Sequence, residues 1–291
     1  MPELPEVETV KRGLSTLIVG RVIKQIIADT PKSFPNAPQD ITHFFIGAKV
    51  LTLRRRAKVL FIDLDTNYSL MIHLKMTGQL VYRGAQSFGA GHPSDSLVGA
   101  LPDKSTRVNI EFVDGSHLFF NDQRKFGWMK LLPTSQLENE PFMQKVGPEP
   151  LGDEFTPIHF ADRFARRQNT SIKAALLDQS VIAGVGNIYA DESLWGAKIH
   201  PATRVGVISK RSFKLLYDEL RFVLNLAIEK GGSTDKNYVN AEGKKGSYID
   251  FARVFRQEGL PCPRCGDTII KTRVAGRGTH SCPACQKEVV L

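Results

Sequence analysis

Four cysteines, all within the last thirty residues, constrain this 291-residue chain more than any other feature. They stand as Cys-Pro-Arg-Cys at Cys262 and Cys265 and as Cys-Pro-Ala-Cys at Cys282 and Cys285, with sixteen residues between the pairs. Each Cys-x-x-Cys turn offers two sulfurs to one ion, and this separation suits a tetrahedral thiolate zinc site with a short hairpin between its knuckles. Two disulfides or free thiols are the alternative. No long apolar stretch follows a basic region near the start, so no secretory leader is expected, and disulfides are rare in the cytosol. A module of about forty residues has too little core to fold unaided, so the metal is expected to hold it together. Four thiolates leave no open coordination position, which makes the expected ion structural rather than catalytic.

The rest of the chain, 42% hydrophobic, has room for a core and for two domains. Its apolar runs, such as Val59–Leu64, are far too short to span a membrane. Lys and Arg outnumber Asp and Glu by 39 − 30 = 9, and the pI is about 9.4. Basicity alone is a weak pointer to nucleic acid. After one short helix, the first 130 or so residues read as apolar or alternating strand runs separated by polar turns, including an Asp-Gly hairpin turn within Val113–His117. That pattern predicts an antiparallel β-sandwich. The Gly-, Ser- and Pro-rich stretch Gln86–Leu101 reads as a long exposed loop, and Gly147–Pro150 as part of a linker. Helical spacing takes over beyond it and ends at Gly231 and Gly232. No internal repeat is visible. The predicted class is α+β: an N-terminal helix and sandwich, a helical domain, and a metal-held hairpin.

Several segments carry candidate chemistry. In Ala183–Trp195, glycines at 184 and 186 allow a turn that exposes amides ahead of a helix, which suits a phosphate, with Asn187 adding a donor. Such turns also serve simply as connections. In Asn121–Trp128, Arg124 and Phe126 lie two apart after a strand and can project to one side as a wedge in a base stack. A surface Arg beside a core Phe gives the same spacing. Met76, at a strand end, is either exposed or core. Basic residues recur at Arg54–Lys58 and around Arg277, which is flanked by glycines at the expected hairpin tip. Zinc hairpin, basic strand and glycine turn together point to nucleic acid.

The same segments carry a resemblance. MPELPEVET, RRAK, HLKMTG, QRKFG, GPEPL, AGVGNIYADE, GGST and the two Cys-x-x-Cys knuckles resemble, in family order and over nearly the whole chain, formamidopyrimidine-DNA glycosylase. Leu4 favours this branch over the related endonuclease VIII branch, which usually begins Pro-Glu-Gly-Pro. The resemblance implies an N-terminal β-sandwich (residues 1–133), a linker (134–152), a helix-two-turn-helix domain with a lesion loop (153–250) and a zinc finger (251–291). It also implies a bifunctional glycosylase and AP lyase of base excision repair, which removes 8-oxoguanine and formamidopyrimidines from duplex DNA and nicks the strand by β,δ-elimination. One structural zinc, held by Cys262, Cys265, Cys282 and Cys285, is the implied cofactor. A monomer in the cytoplasm, with no membrane partner, is expected.

Carried onto this sequence, the resemblance implies that Met1 is removed and that Pro2 attacks C1′. Glu3 is then the acid/base group that helps open the sugar, Glu6 supports it, and Lys58 binds phosphate and assists catalysis. His73, Asn187 and Arg277 are implied phosphate contacts, and Lys173 matches a lysine linked to damaged-base processing. Met76, Arg124 and Phe126 match the residues that fill the hole left by the flipped nucleotide, and residues 233–248 match the loop that closes over the extruded base. Two departures stand out. Relatives often carry Lys-His-Asp-His where this chain has Lys104–Val108, KSTRV, with Arg107 as a source of charge, and Gln86–Leu101 is longer than usual.

The chemistry gives a reason for a proline. Glycosidic cleavage needs a nucleophile, and strand scission needs an electron sink at C1′; a secondary amine supplies both, through a cationic iminium ion that acidifies the C2′ protons. Free α-amino groups have a pKa near 8, so a useful neutral fraction exists at about pH 7, whereas lysine at about 10.4 would need a much larger shift. Glu3 and Glu6, three apart, share a face of any helix that starts here, and a favourable charge–dipole arrangement is the simpler account of them. A DNA-binding protein without catalysis, or a preference for oxidised pyrimidines, are the rival functions.

Overall fold

Only Ala57 and Lys58 separate the strand ending in Arg54–Arg56 from the apolar one starting at Val59, and the two pair as a tight hairpin. The described residues up to 133 lay out nine strands, preceded by helix α1 (Leu4–Ile18) and interrupted by the short α2 (Pro38–Phe44). The strands are β1 (Ile23–Ala28), β2 (Val50–Arg56), β3 (Val59–Leu64), β4 (Tyr68–His73), β5 (Gly78–Arg83), β6 (Ser87–Gly91), β7 (Thr106–Phe112), β8 (His117–Asp122) and β9 (Trp128–Pro133). The computed structural model describes residues 2–92, 94–233 and 248–288. These divide into two units, one up to Gln144 together with 230–233, the other Lys145–Glu229 with the described residues from Tyr248 onward.

The first unit is the expected antiparallel sandwich. Its sheets run β1-β7-β8-β5-β6 and β2-β3-β4-β9. Leu60, Ile62, Leu70, Ile72, Met129 and Leu131 from the second face Leu80, Tyr82, Val108, Ile110, Leu118 and Phe120 from the first. Helix α1 joins this core through Val7, Val10, Leu14, Leu17 and Ile18, an apolar stripe at helical spacing. Strand β3 is apolar at almost every position because both its faces are covered. Its outward Val59 and Phe61 pack with Met71, Leu137 and Met143, the last two from the segment after β9 that holds the short α3 (Pro141–Gln144).

The stretch expected as an exposed loop is largely built into the sandwich. Strand β6 pairs with the edge of β5, burying Phe88 and Ala90, and a 3-10 turn over Asp95–Leu97 sets Leu97 against Val81 and Phe119 on the outer face. Gly13, in the middle of α1, leaves space for the Phe88 ring: a Cβ there would lie 2.2 Å from it. A glycine costs a helix interior about 1 kcal/mol relative to alanine, and here the contact it permits buries a phenyl ring.

The second unit contains α4 (Pro157–Phe164), α5 (Ile172–Leu177), α6 (Asn187–Gly196), α7 (Lys210–Glu229) and the hairpin β10 (Ile270–Val274) and β11 (Arg277–Ser281). Helix α6 is buried from Tyr189 to Gly196, the central rod around which the aromatic and aliphatic residues of α4, α5 and α7 pack. The residues expected in a linker are held in place: Gly147 donates to Gln179 O and Ala183 donates to Pro148 O. Among the described residues, no helix is long and apolar enough to cross a membrane.

Candidate active site and nucleic-acid contacts

Pro2 and Glu3 are buried in extended backbone immediately before α1, and Glu3 is its N-cap. Pro5 falls in the first turn, where the missing N–H costs no helical hydrogen bond. The Glu3 N–H donates to Glu6 Oε2 at 2.7 Å, and Glu6 Oε1 accepts from the Ser233 N–H, also at 2.7 Å. Gly232, with φ of +85°, lets the chain pass so close that an added Cβ would sit 3.1 Å from that oxygen. With both oxygens receiving backbone N–H groups, the Glu6 carboxylate fixes the start of the helix to the Gly-Gly-Ser segment. It is a brace before it is a proton carrier. Met1 and residues 234–247, most of the expected closing loop, lie outside the described residues.

Lys58 sits in the β2–β3 turn, where Ala57 takes φ of +55°, and is largely buried. Its neighbour Val59 pairs with His73 across β3 and β4. The Lys75 N–H donates to His73 Nδ1 at 3.0 Å, which leaves the ring proton on Nε2. Burial, followed by the charges of Lys75 and Lys58, pulls the His73 pKa down to about 3, so the ring is a neutral N–H donor throughout the physiological range. Such a donor is suited to an anionic oxygen and does not titrate beside it.

A second brace ties the Lys58 turn to α1. Arg55 Nε donates to Glu8 at 3.1 Å, and Arg55 Nη1 donates to Ala57 O at 3.1 Å. Burial opposes ionisation of Glu8, yet Lys11, Arg12 and Arg55 outweigh it and hold the pKa at about 2. Because this is lower than the ordinary value of 4.5, Glu8 contributes stability that is complete above pH 4.5 and is lost as pH falls toward 2. Glu8→Gln is expected to flatten the acid limb of the pH–stability curve between those values, measured by denaturant melts. An unchanged acid limb would contradict the brace.

Met76 and Phe126 are 37% and 46% exposed, unlike the core residues their types suggest, and Arg124 is exposed beside them. Arg124 Nη1 lies 3.0 Å from Met76 Sδ, and its guanidinium stands 4.9 Å from the Phe126 ring centroid. Two separate turns thus present one contiguous group of three side chains. Arg107, expected as a source of charge where relatives carry histidines, is buried: it donates to Asp122 O, Asp29 and Lys104 O.

In the second unit, Asn187 opens α6 and donates to Gly278 O at 3.0 Å, next to exposed Arg277. Arg277 follows the two-residue turn Ala275–Gly276, whose φ values of +50° and +74° are those of a type I′ hairpin. The glycine turn before α6 does not leave all its amides open: Gly184 donates to Gln179 Oε1 at 3.0 Å, and the Gln179 amide donates to Val185 O. Lys173 has no exposed side-chain surface, and its Nζ contacts Asp191 Oδ1 at 2.6 Å, Thr279 Oγ1 and Gly278 O. In this position Lys173 supports the hairpin tip from beneath.

The four cysteine sulfurs lie within 4.8 Å of one another, with Cys262–Cys285 at 3.9 Å and Cys265–Cys282 at 3.5 Å. A tetrahedron with Zn–S bonds of about 2.3 Å has edges of about 3.8 Å, so the four thiols fit one zinc ion. The amides of Arg264 and Cys265 and the Trp195 indole N–H pull the Cys262 pKa down against burial, whereas burial pushes the Cys282 and Cys285 thiols up. That indole N–H, 3.4 Å from Cys262 Sγ, also links the metal module to the end of α6.

Two acids that close the AGVGNIYADE motif, and to which the sequence reading gives no role, hold the second unit together. Glu192, fully buried on α6, accepts from the N–H groups of Arg253, Val254 and Phe255, and Asp191 accepts from His280 N–H.

A helix-headed sandwich, and in the second unit a glycine turn opening α6 beside a thiolate-held hairpin, define the class of helix-two-turn-helix DNA glycosylases. Family models agree along the chain: the formamidopyrimidine-DNA glycosylase N-terminal domain matches residues 1–129, its H2TH domain residues 146–238, and the zinc finger found in FPG and IleRS residues 259–287. Formamidopyrimidine-DNA glycosylase of Streptococcus pyogenes is 42% identical over 289 residues, covering 99% of each chain. Two solved structures of Lactococcus lactis Fpg, a variant with DNA containing Fapy-dG and a complex with DNA containing an abasic site, each superpose with a TM-score of 0.86. They are 34% and 35% identical, and the matches cover 99% and 98% of this chain and all of theirs. The chain belongs to the formamidopyrimidine-DNA glycosylase family.

Proposed function

We propose that this chain is a bifunctional DNA glycosylase and AP lyase that excises oxidised purines from duplex DNA in base excision repair. The observation that carries this reading is the buried, hydrogen-bonded start of α1, where Pro2 and Glu3 adjoin and Glu6 fixes the backbone. In the reaction, the Pro2 nitrogen of the processed chain attacks C1′, the C1′–N bond breaks, and the damaged base leaves with a proton. Glu3 protonates O4′ as the sugar opens, giving an iminium ion. Loss of a C2′ proton expels the 3′-phosphate, a second elimination expels the 5′-phosphate, and water releases Pro2. Lys58 and the neutral His73 hold backbone phosphates on the first unit, while Asn187 and Arg277 do so on the second. Met76, Arg124 and Phe126 fill the gap left by the extruded nucleotide, offsetting part of an unstacking cost of about a few kcal/mol. Four thiolates hold one zinc that shapes the hairpin. The complexes of the Lactococcus lactis relatives with lesion-bearing and abasic DNA support the substrate class. The enzyme acts as a monomer in the bacterial cytoplasm.

Single-turnover cutting of duplexes carrying 8-oxoguanine opposite cytosine, compared with duplexes carrying an oxidised pyrimidine, tests the reading. Faster purine release, with phosphates on both ends of the gap, is expected. Faster pyrimidine release would overturn the substrate assignment.

A further inference from the structure

At the end of β8, the carboxylate of Asp122 is wholly buried and accepts four hydrogen bonds, all from the two turns that carry Met76, Arg124 and Phe126. Oδ1 accepts from the Thr77 hydroxyl and from the Arg124 N–H at 3.2 Å. Oδ2 accepts from the N–H groups of Phe126 and Gly127 at 2.8 and 2.7 Å. Thr77 Oγ1 accepts a share of the same Arg124 N–H at 3.0 Å, so Thr77 and Asp122 grip one amide together. Gly127 is pressed into this arrangement, where a Cβ would lie 2.6 Å from the Phe120 ring and 3.2 Å from Asp122 Oδ2.

The anchor is itself fixed in the sheet. Asp122 pairs with Gly78 across β8 and β5, its N–H donates to Ser105 O at 2.8 Å, and its carbonyl accepts from Arg107 Nε at 2.9 Å. Arg107, the departure from the usual histidines, therefore holds the residue that holds the turns.

An exposed group pushed between base pairs does its work only if the turns behind it resist. Turns closed by a few solvent-exposed bonds open readily, whereas charge-assisted bonds to a buried carboxylate are roughly twice as strong as neutral ones. We infer that Asp122, acting with Thr77, is a positioning residue that locks the Met76 turn and the Arg124–Phe126 turn into one rigid wedge. Strand insertion and reading of the base opposite the lesion then depend on both residues, although neither touches DNA. The inference rests on the void-filling role given above to Met76, Arg124 and Phe126.

Two variants separate this from mere stability. Asp122→Asn swaps one acceptor for an NH₂ group, so one pair of donors meets another donor; Thr77→Val keeps the shape and removes the shared hydroxyl. Each full-length variant is mixed with a duplex carrying a tetrahydrofuran abasic analogue beside 2-aminopurine, and insertion is read as the stopped-flow fluorescence amplitude. Kd is measured with each base opposite the analogue, alongside Tm. Both variants are expected to lose most of the amplitude and to narrow the Kd ratio between adenine and cytosine opposite the lesion by about fivefold or more, the scale on which one base-edge interaction discriminates. Wild-type amplitude and ratio in Thr77→Val, whatever its Tm, would overturn the inference, and that variant decides if Asp122→Asn folds poorly. Arg124→Ala and Phe126→Ala serve as controls. If they lose the signal while Thr77→Val keeps it, the positioning role alone fails; if they also keep it, the wedge reading fails with it.

Discussion

Glu3→Gln is expected to slow single-turnover release of 8-oxoguanine by about 10²–10⁴-fold, the usual worth of a positioned proton donor, while cutting at a preformed abasic site stays near the wild-type rate. The split follows from what each substrate still requires. Base release from an intact nucleoside needs O4′ protonated as the sugar opens, and Glu3 is the buried carboxylic group next to Pro2. A preformed abasic site already reaches an open-chain aldehyde without help, and Pro2 attacks it directly. Glutamine keeps the side-chain size and leaves the backbone bond from Glu3 N–H to Glu6 intact, so the helix start survives. Parallel assays on the two substrates check this. Equal loss on both would mean that Glu3 holds the structure rather than moves the proton.

Removing zinc is the second large perturbation. Chelation, or Cys282→Ser, is expected to unfold the hairpin module, because the small cluster of Val254, Cys262, Ile269 and Cys282 with Trp195 has little to offer without the metal. Arg277 then loses its placement, and so does the Gly278 carbonyl that Asn187 grips. The slope of log Kd against log salt should fall by about 0.9 for each phosphate that is no longer neutralised. Trp195 reports the event directly through its indole contact with Cys262, read by fluorescence in a Trp128→Phe background. Metal-free protein with an unchanged salt slope and an unchanged Trp195 spectrum would contradict the zinc-held interface.

Much of this architecture is legible from local pattern. The apolar stripe of α1, the strand-like runs of the first unit and the spacing within each Cys-x-x-Cys knuckle all reflect constraints within a few residues of one another. The stretch Gln86–Leu101 reads wrongly as a loop because its glycines and serines signal turns, while the Phe88 ring finds its place against Gly13 of α1, distant in sequence. Distance in sequence also hides the supporting acids. Asp191 meets His280 across 89 residues and Glu192 gathers amides 61 to 63 residues away, so neither leaves a periodic trace. Lys173 is read as a lysine linked to damaged-base processing, and only the structure shows it buried against Asp191. Asp122 leaves no signal of its own because most of its partners are backbone amides, which almost any residue supplies.

Borohydride trapping tests the central claim most directly. Processed full-length protein is incubated with a duplex carrying 8-oxoguanine opposite cytosine, reduced with borohydride, digested and mapped by mass spectrometry. The mechanism predicts a covalent adduct confined to the peptide that begins at residue 2, formed much more slowly in Pro2→Gly, which still binds the duplex. No adduct from a chain that binds well, or an adduct mapped to Lys58 or another lysine, would contradict it.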